Sequence, residues 1–206
     1  MKIYSMKNYL IINQGDYMTR DEQKEQRRNQ ILFTALDLFV KKGYSATKVA
    51  DIAKEAKMSV GLLFHYFESK EKLLETLVMM GLEGTKMPLT MEWKEPLAFF
   101  ETFLKQLFSH MKEEPYSAKM FVLMAQAQRS EGIPDDIRKI ALQVDTIEQT
   151  VKIIEAGQLK GCIREGNALA ISNAYWCSIQ GIAENYACHP EIPLPEPEWL
   201  IDMIKA

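Results

Sequence analysis

The chain has 206 residues, a net charge of −3, 47% hydrophobic residues and 26% charged residues, which is an ordinary composition for a globular protein. Its apolar runs are shorter than the roughly 18 residues that span a bilayer, so we expect no membrane partner and a cytoplasmic location. Three cysteines without close pairing favour reduced thiols over a disulfide framework.

The charge is distributed unevenly along the chain. Residues 1–72 contain 13 Lys and Arg against 9 Asp and Glu, whereas the remainder contains 12 against 19, so the first part is basic and the second acidic. A mildly basic N-terminal part on an acidic body indicates that one end meets an anion. The sequence contains no metal or cofactor motif, so we expect no metal site and no cofactor.

The first 17 residues lack helical periodicity, and Met18 begins a stretch, MTRDEQKEQRR, that looks like a protein start. Residues 1–20 are therefore predicted to be a flexible N-terminal arm, or, for the first 17, the result of an upstream start codon. The first domain is predicted over residues 21–68.

A helix is predicted over residues 21–42, because apolar residues recur there at helical spacing. The stripe consists of Ile31, Ala35, Leu38 and Phe39. Gly43 follows and can adopt a left-handed backbone, so the helix is expected to end there.

Two short helices are predicted next, over residues 48–56 with Thr47 as the cap and over residues 60–66 with Ser59 as the cap. Two short helices joined by about three residues form a helix-turn-helix, in which the second helix enters the major groove of DNA. A further helix is expected to start after Ser69.

The second helix of this pair carries aromatic residues on more than one side. Leu63, Phe67 and part of Tyr66 are predicted to face inward. The side chains left for the DNA groove are Gly61, Leu62, Phe64 and His65.

Residues 31–74 resemble the TetR family of transcriptional repressors. The matching landmarks are G-Y-S-A-T, D-I-A, S-V-G, H-Y-F and S-K-E-K-L. The resemblance implies an all-α protein with an N-terminal three-helix DNA-binding domain, followed by an all-helical ligand-binding and dimerisation domain over residues 69–206. It also implies a homodimer whose C-terminal helices form a four-helix interface.

Carried over position by position, the resemblance implies a set of DNA contacts. The residues are Thr47, Lys48, Lys57, Ser59, Gly61, Leu62, Phe64, His65 and Lys70. Thr47, Lys48 and Lys70 are expected to contact phosphate. Leu62 is apolar and suits a thymine methyl group.

Two departures from the family pattern affect this set. Lys57 stands at a turn position where the family usually has glycine, and a left-handed side chain there costs on the order of 1 kcal/mol. Phe64 replaces a common tyrosine and lacks its hydroxyl. Since Leu62 also lacks a donor, base readout is expected to be apolar or to depend on DNA shape.

Helical spacing continues after residue 85, interrupted by proline and glycine and without strand patterns. The predicted helices of the second domain span residues 97–111, 117–129, 135–156, 168–187 and 198–205.

A pocket for a small apolar or amphipathic effector is implied in the second domain, and the frequent methionines suit varied apolar ligands. The candidate lining residues are Phe103, Met120, Met124, Ile147, Tyr175, Trp176 and Gln180. Core packing is the alternative interpretation of each residue.

A dimer is expected, because two recognition helices roughly 34–36 Å apart read a palindrome. The candidate seam residues are Trp176, Ile179, Gly181, Ile182, Leu200, Ile201 and Ile204, with an intramolecular core as the alternative.

The sequence therefore predicts a homodimeric repressor that binds palindromic double-stranded DNA and is released by a small molecule. One alternative is an interaction protein with a degenerate DNA module, which Leu62 and Phe64 favour. The other is a helical enzyme, but Ser59 lacks the context of a nucleophile elbow and no acid–base pair clusters, so we expect no catalytic residues.

Overall fold

The computed structural model describes residues 19–206 of the chain, and this part contains ten α-helices joined by turns, loops and one 3-10 helix (Met87–Thr90). They are α1 (Arg20–Lys42), α2 (Val49–Glu55), α3 (Val60–Tyr66), α4 (Lys70–Lys86), α5 (Pro96–Glu113), α6 (Tyr116–Arg129), α7 (Asp135–Ala141), α8 (Thr146–Leu159), α9 (Ala168–Cys188) and α10 (Pro197–Asp202). Over these residues no strand occurs, which confirms the predicted all-α fold. None of the helices in this range combines the length and apolarity needed to cross a bilayer.

The N-terminal arm predicted over residues 1–20 lies outside the described residues up to position 18. Thr19 caps α1: its hydroxyl accepts from the Glu22 amide at 3.2 Å, and the Glu22 carboxylate accepts from the Thr19 amide at 2.8 Å. This reciprocal pair satisfies two helix-terminal amides. Gly43, with a φ of 81°, ends the helix as predicted.

The first hydrophobic core contains residues of α1, α2, α3, α4, α6 and α7. Phe39 of α1 is buried with Leu74 and Leu77 of α4, and Leu123 of α6 and Ile137 of α7 belong to the same cluster. This core therefore contains residues from both sides of the boundary predicted at residue 69. Movement of α6 or α7 would therefore change the packing of the N-terminal helices.

The second core packs α5 against α8, α9 and α10. Four of the residues predicted for a dimer seam are buried here within one chain: Ile179, Leu200, Ile201 and Ile204. The seam prediction is wrong for these four, because helical spacing alone does not distinguish an inward stripe from an intermolecular one. Gly181 does lie on the exposed side of α9.

The single helix predicted over residues 135–156 is wrong, since the chain forms α7 and α8 with a break between them. Asp145 causes the restart: its Oδ1 accepts from the amides of Ile147 and Glu148 at 3.0 and 3.1 Å. A capping aspartate competes with helix continuation for these backbone groups.

Candidate nucleic-acid interface

The helix-turn-helix of α2 and α3 is fixed from its inner side. Ile52, Ala53 and Leu63 are buried, and the Met58 amide donates to the Ala53 carbonyl at 2.9 Å across the turn. The small side chain of Ala53 permits the close approach of the two helices. The angle between them is therefore set by local packing.

Lys57 occupies the turn with a φ of 55°, the one positive value among the non-glycine residues that the structure describes. This confirms that a side chain stands where the backbone is left-handed, at a cost of roughly 1 kcal/mol. Lys57 is exposed, so its ammonium is free to approach a polyanion.

The two faces of α3 divide as predicted. Leu63 and Phe67 are buried, whereas Leu62 and Phe64 are 43% and 46% exposed. The exposed face also contains Gly61 and His65, which the sequence predicted for the groove side, and Val60, which it did not. The outer surface of this helix is therefore apolar around one histidine.

Thr47 does not cap α2, contrary to the sequence prediction. Its side chain is only 1% exposed, and its hydroxyl donates to the Gly43 carbonyl at 2.8 Å. Lys48 is the N-cap instead, and its amide donates to Asp51 Oδ2 at 3.4 Å. The Thr47 hydroxyl holds the turn and faces away from solvent, which corrects its prediction as a phosphate contact, while the Lys48 side chain is exposed.

Two serines cap the following helices as predicted. Ser59 Oγ accepts from the Leu62 amide at 3.1 Å, and Ser69 Oγ accepts from the Lys72 amide at 3.1 Å. Both serine hydroxyls are thus engaged with backbone amides at the helix starts.

Lys70 is tied to the turn before α2. Its Nζ donates to the carbonyls of Tyr44 and Thr47, both at 3.0 Å, and lies 4.1 Å from the centre of the Tyr44 ring. The Tyr44 hydroxyl donates to Glu71 Oε1 at 2.9 Å. Burial and this carboxylate raise the pKa of Tyr44. The pKa of the Glu71 carboxyl group is lowered, mainly by a hydrogen bond from the Glu71 backbone amide and next by the hydrogen bond from the Tyr44 hydroxyl.

Sequence reasoning missed this network, in which Lys70 was predicted only as a phosphate contact. The available signal was the adjacent pair Lys70 and Glu71 at the start of α4. Tyr44, the partner of both, lies 26 residues before Lys70 in the sequence. That signal becomes specific only when the turn brings two carbonyls to one ammonium.

Arg28 adds a cation near the end of α3. Its guanidinium lies 5.0 Å from the centre of the Phe67 ring. Arg27, one residue earlier, donates to Gln30 at 3.0 Å. The Arg28 side chain therefore borders the helix-turn-helix.

The seven residues predicted for a ligand pocket lie on the four helices α5, α6, α8 and α9. Phe103 and Tyr175 flank Trp176, with ring centres 5.1 and 5.3 Å from its ring. The Tyr175 hydroxyl donates to the Phe100 carbonyl at 2.8 Å, so this aromatic group is part of the second core. The carbonyl of Ile147 accepts from Ser172 on the same side of α9.

The remaining three candidates lie on α6 and α9. Met120 and Met124 contact α4 at Gly81. Gln180 donates to the Phe121 carbonyl at 3.1 Å and to Glu184 at 2.6 Å.

A surface groove of about 270 Å³ borders α9 and the proline-rich segment after it. Its lining residues are Gly181, Ile182, Asn185, Tyr186, Ile192, Pro193, Leu194 and Pro195. This set contains none of the seven predicted pocket residues. The pocket therefore remains a prediction.

Residues 31–77 match the family model described as bacterial regulatory proteins, tetR family. The chain is similar to the HTH-type transcriptional regulator YuxN of Bacillus subtilis, with 46% identity over 54 residues. That match covers 26% of this chain and 19% of YuxN, so the chain aligns with about a fifth of that relative's length.

Other matches cover more of the chain. The HTH-type transcriptional repressor NicS of Pseudomonas putida is 24% identical over 163 residues, which cover 76% of this chain and 74% of NicS. The crystal structure of the MbdR regulator from Azoarcus sp. CIB superposes with a TM-score of 0.71 at 21% identity. It covers 85% of this chain and 95% of MbdR, and shows the same fold.

Proposed function

We propose, since the chain belongs to the TetR family of bacterial regulatory proteins, that it is a homodimeric transcriptional repressor of a palindromic operator. The observation that carries the proposal is the exposed face of α3 beside the exposed lysines 48 and 57. Family members are DNA-binding regulators, so the helical-enzyme alternative is set aside.

The DNA contacts are proposed in two classes. Lys48 and Lys57 are exposed cations on either side of α2, which suits phosphate contact and fixes register without reading sequence. Gly61, Leu62 and His65 lie on the exposed face of α3, where they suit contact with base edges in the major groove. Ser59 and Phe64 complete the proposed surface.

Dimerisation is proposed through the exposed face of α9 with α10. Trp199 of α10 is 64% exposed, and Leu169 and Met203 are also exposed apolar side chains. Exposed apolar side chains of this size favour a protein interface. A palindromic operator requires two copies of α3 roughly 34–36 Å apart, and a two-fold dimer supplies two copies.

A small apolar or amphipathic effector is proposed to release the dimer from DNA. The support is the position of α6, which contacts α1 and α4 on one side and α9 on the other. An effector that binds the two states unequally shifts the spacing of the α3 helices, and DNA must weaken effector binding by the same factor.

Fluorescence anisotropy tests the DNA proposal directly. Fluorescent duplexes tiled across the region upstream of the gene are titrated with protein at two salt concentrations. We expect one near-palindromic tile to bind far more tightly than the others, and Lys48→Met to weaken that binding. Equal weak binding to every tile would contradict an autoregulatory repressor.

The exposed apolar residues Leu62 and Phe64 favour a second candidate, an interaction protein with a degenerate DNA module. The two candidates differ in salt dependence, since phosphate contacts make affinity fall steeply with salt. A near-zero salt slope in the same titration would support the second candidate.

A further inference from the structure

The turn between α1 and α2 presents two backbone carbonyls to one point. The Tyr44 carbonyl already accepts from the Thr47 amide at 3.2 Å, and the Thr47 carbonyl is the last before Lys48. Lys70 Nζ donates to both carbonyls at 3.0 Å from the first turn of α4. A single ammonium thus joins the start of α4 to the residue that precedes α2.

The Lys70 ammonium is held by further contacts besides these two hydrogen bonds. The Tyr44 ring lies 4.1 Å from Nζ, and the hydroxyl of that ring donates to Glu71, the next residue of α4. Tyr44 and Thr47 are both buried, so the turn cannot move without repacking. An ammonium has three N–H donors, and two of them are used inside the protein.

The hydrogen bond from Lys70 to the Thr47 carbonyl also fixes the position of the neighbouring Lys48. Lys48 follows Thr47 directly and caps α2, so the path of its backbone depends on the carbonyl that Lys70 holds. We infer that Lys70 is a positioning residue for DNA binding, which aligns Lys48 and the start of α2, rather than a phosphate contact in its own right. The inference rests on the proposed function, in which Lys48 contacts phosphate.

The two roles differ in salt dependence. Each phosphate contact contributes about 0.9 to the slope of log affinity against log salt concentration. A lost phosphate contact therefore lowers both affinity and slope. A lost positioning contact lowers affinity by disturbing the hydrogen-bond geometry at Lys48, while the Lys48 charge stays beside the phosphate and the slope therefore remains.

The test compares Lys70→Met, Lys48→Met and the double variant with the wild-type full chain. Lys72→Met is the matched control, because it removes the same charge from the same helix while the Lys72 ammonium pairs with the partly exposed Glu75 carboxylate at 2.7 Å. The probe is the tightest-binding fluorescent tile, or a duplex of mixed sequence if all tiles bind alike. Circular dichroism establishes that each variant is folded at the titration temperature.

We expect Lys70→Met to lose about tenfold in affinity, the effect of losing hydrogen bonds from a charged group. Its salt slope should equal that of wild type, whereas Lys48→Met should lower the slope. The double variant should bind about as weakly as Lys48→Met alone, since both changes act through one contact. Hydrogen exchange at the amides of residues 47–52 should increase in Lys70→Met.

Three results would overturn the inference: a slope lowered as much as in Lys48→Met, additive losses in the double variant, or an affinity equal to that of Lys72→Met. The third result would leave Lys70 with a role in stability alone. A wild type that binds no duplex would overturn the proposed function as well, so the two failures are distinguishable by the wild-type titration.

Discussion

The Lys119 ammonium on α6 pairs with the Asp37 carboxylate on α1, 82 residues away in sequence. Both side chains are partly exposed, and Lys119 also lies 4.9 Å from the centre of the Tyr116 ring. Gln126, on the same helix, donates to the Val40 carbonyl at 3.3 Å. Two polar ties therefore connect α6 to the helix that supports the helix-turn-helix.

Replacing Asp37 by Asn should cost little stability, because a partly exposed ion pair contributes about 1 kcal/mol or less. Urea unfolding of Asp37→Asn, Lys119→Met and the double variant gives the coupling energy. We expect this coupling to shrink in high salt, which screens exposed charges. A coupling that stays large at high salt would mean that packing, rather than charge, connects the two helices.

Lys57→Gly should stabilise the protein. The substitution relieves left-handed strain of about 1–2 kcal/mol but increases the entropy of the unfolded chain by about 0.4–1 kcal/mol. The expected net gain in free energy of unfolding is on the order of 0.5 kcal/mol, measured by urea denaturation.

Lys54→Gly is the control, since it removes the same exposed side chain from helical backbone. It should destabilise by up to about 1 kcal/mol. Equal effects of the two substitutions would show that the φ of 55° at Lys57 stores no strain.

Two glycines of α4 should respond oppositely to alanine. A Cβ on Gly84 meets nothing within 4 Å, so Gly84→Ala should gain about 0.5–1 kcal/mol from helix propensity. A Cβ on Gly81 would lie 2.4 Å from Met124 Sδ, so α6 must shift or Met124 must change rotamer.

We expect Gly81→Ala to be less stable than Gly84→Ala by about 1–3 kcal/mol, the usual cost of overpacking. Thermal unfolding of the two variants measures this difference. If both variants gained equally, Met124 would be free to move at no cost, and the α4–α6 contact would be looser than the packing indicates.

Helix identity in the N-terminal part was predictable because its signals are local. The apolar stripe of α1, the glycine after it and the serine cap of α3 each specify a boundary within a few residues. The inward and outward faces of α3 followed from the same spacing.

Contacts between distant segments were not predictable from spacing. Thr47 and Lys70 are residue types that often bind phosphate. In this structure the Thr47 hydroxyl and the Lys70 ammonium instead donate to backbone carbonyls of the turn between α1 and α2. Ile179 and Ile201 have the spacing of a dimer seam, yet both are buried in the second core of one chain. In each case the partner is defined by tertiary packing, which a single helical pattern does not encode.

Acid stability should depend on Glu71. Its pKa is lowered in the folded protein, so its contribution is present above the pKa of the unfolded chain and is lost as pH falls through the folded pKa. Glu71→Gln should therefore flatten the decline of the free energy of unfolding on the acidic side of pH 4.5. Glu75→Gln, on the same helix, is the control, and an unchanged acid profile in Glu71→Gln would refute the assignment.

The buried hydroxyls of Thr150 and Ser172 should stabilise the folded protein, because the indole N–H of Trp176 requires a hydrogen-bond acceptor. Trp176 Nε1 donates to Thr150 Oγ1 at 2.8 Å, and Thr150 Oγ1 lies 2.9 Å from Ser172 Oγ. Thr150→Val leaves the indole donor without this acceptor, at a cost of about 1–3 kcal/mol.

Trp176→Phe in the Thr150→Val background removes the orphaned donor, so part of this loss should be recovered despite the smaller ring. Urea unfolding of the two single variants and the double variant measures the coupling. Additive losses would mean that water or another group satisfies the indole in Thr150→Val, and that the bond between α8 and α9 contributes through packing alone.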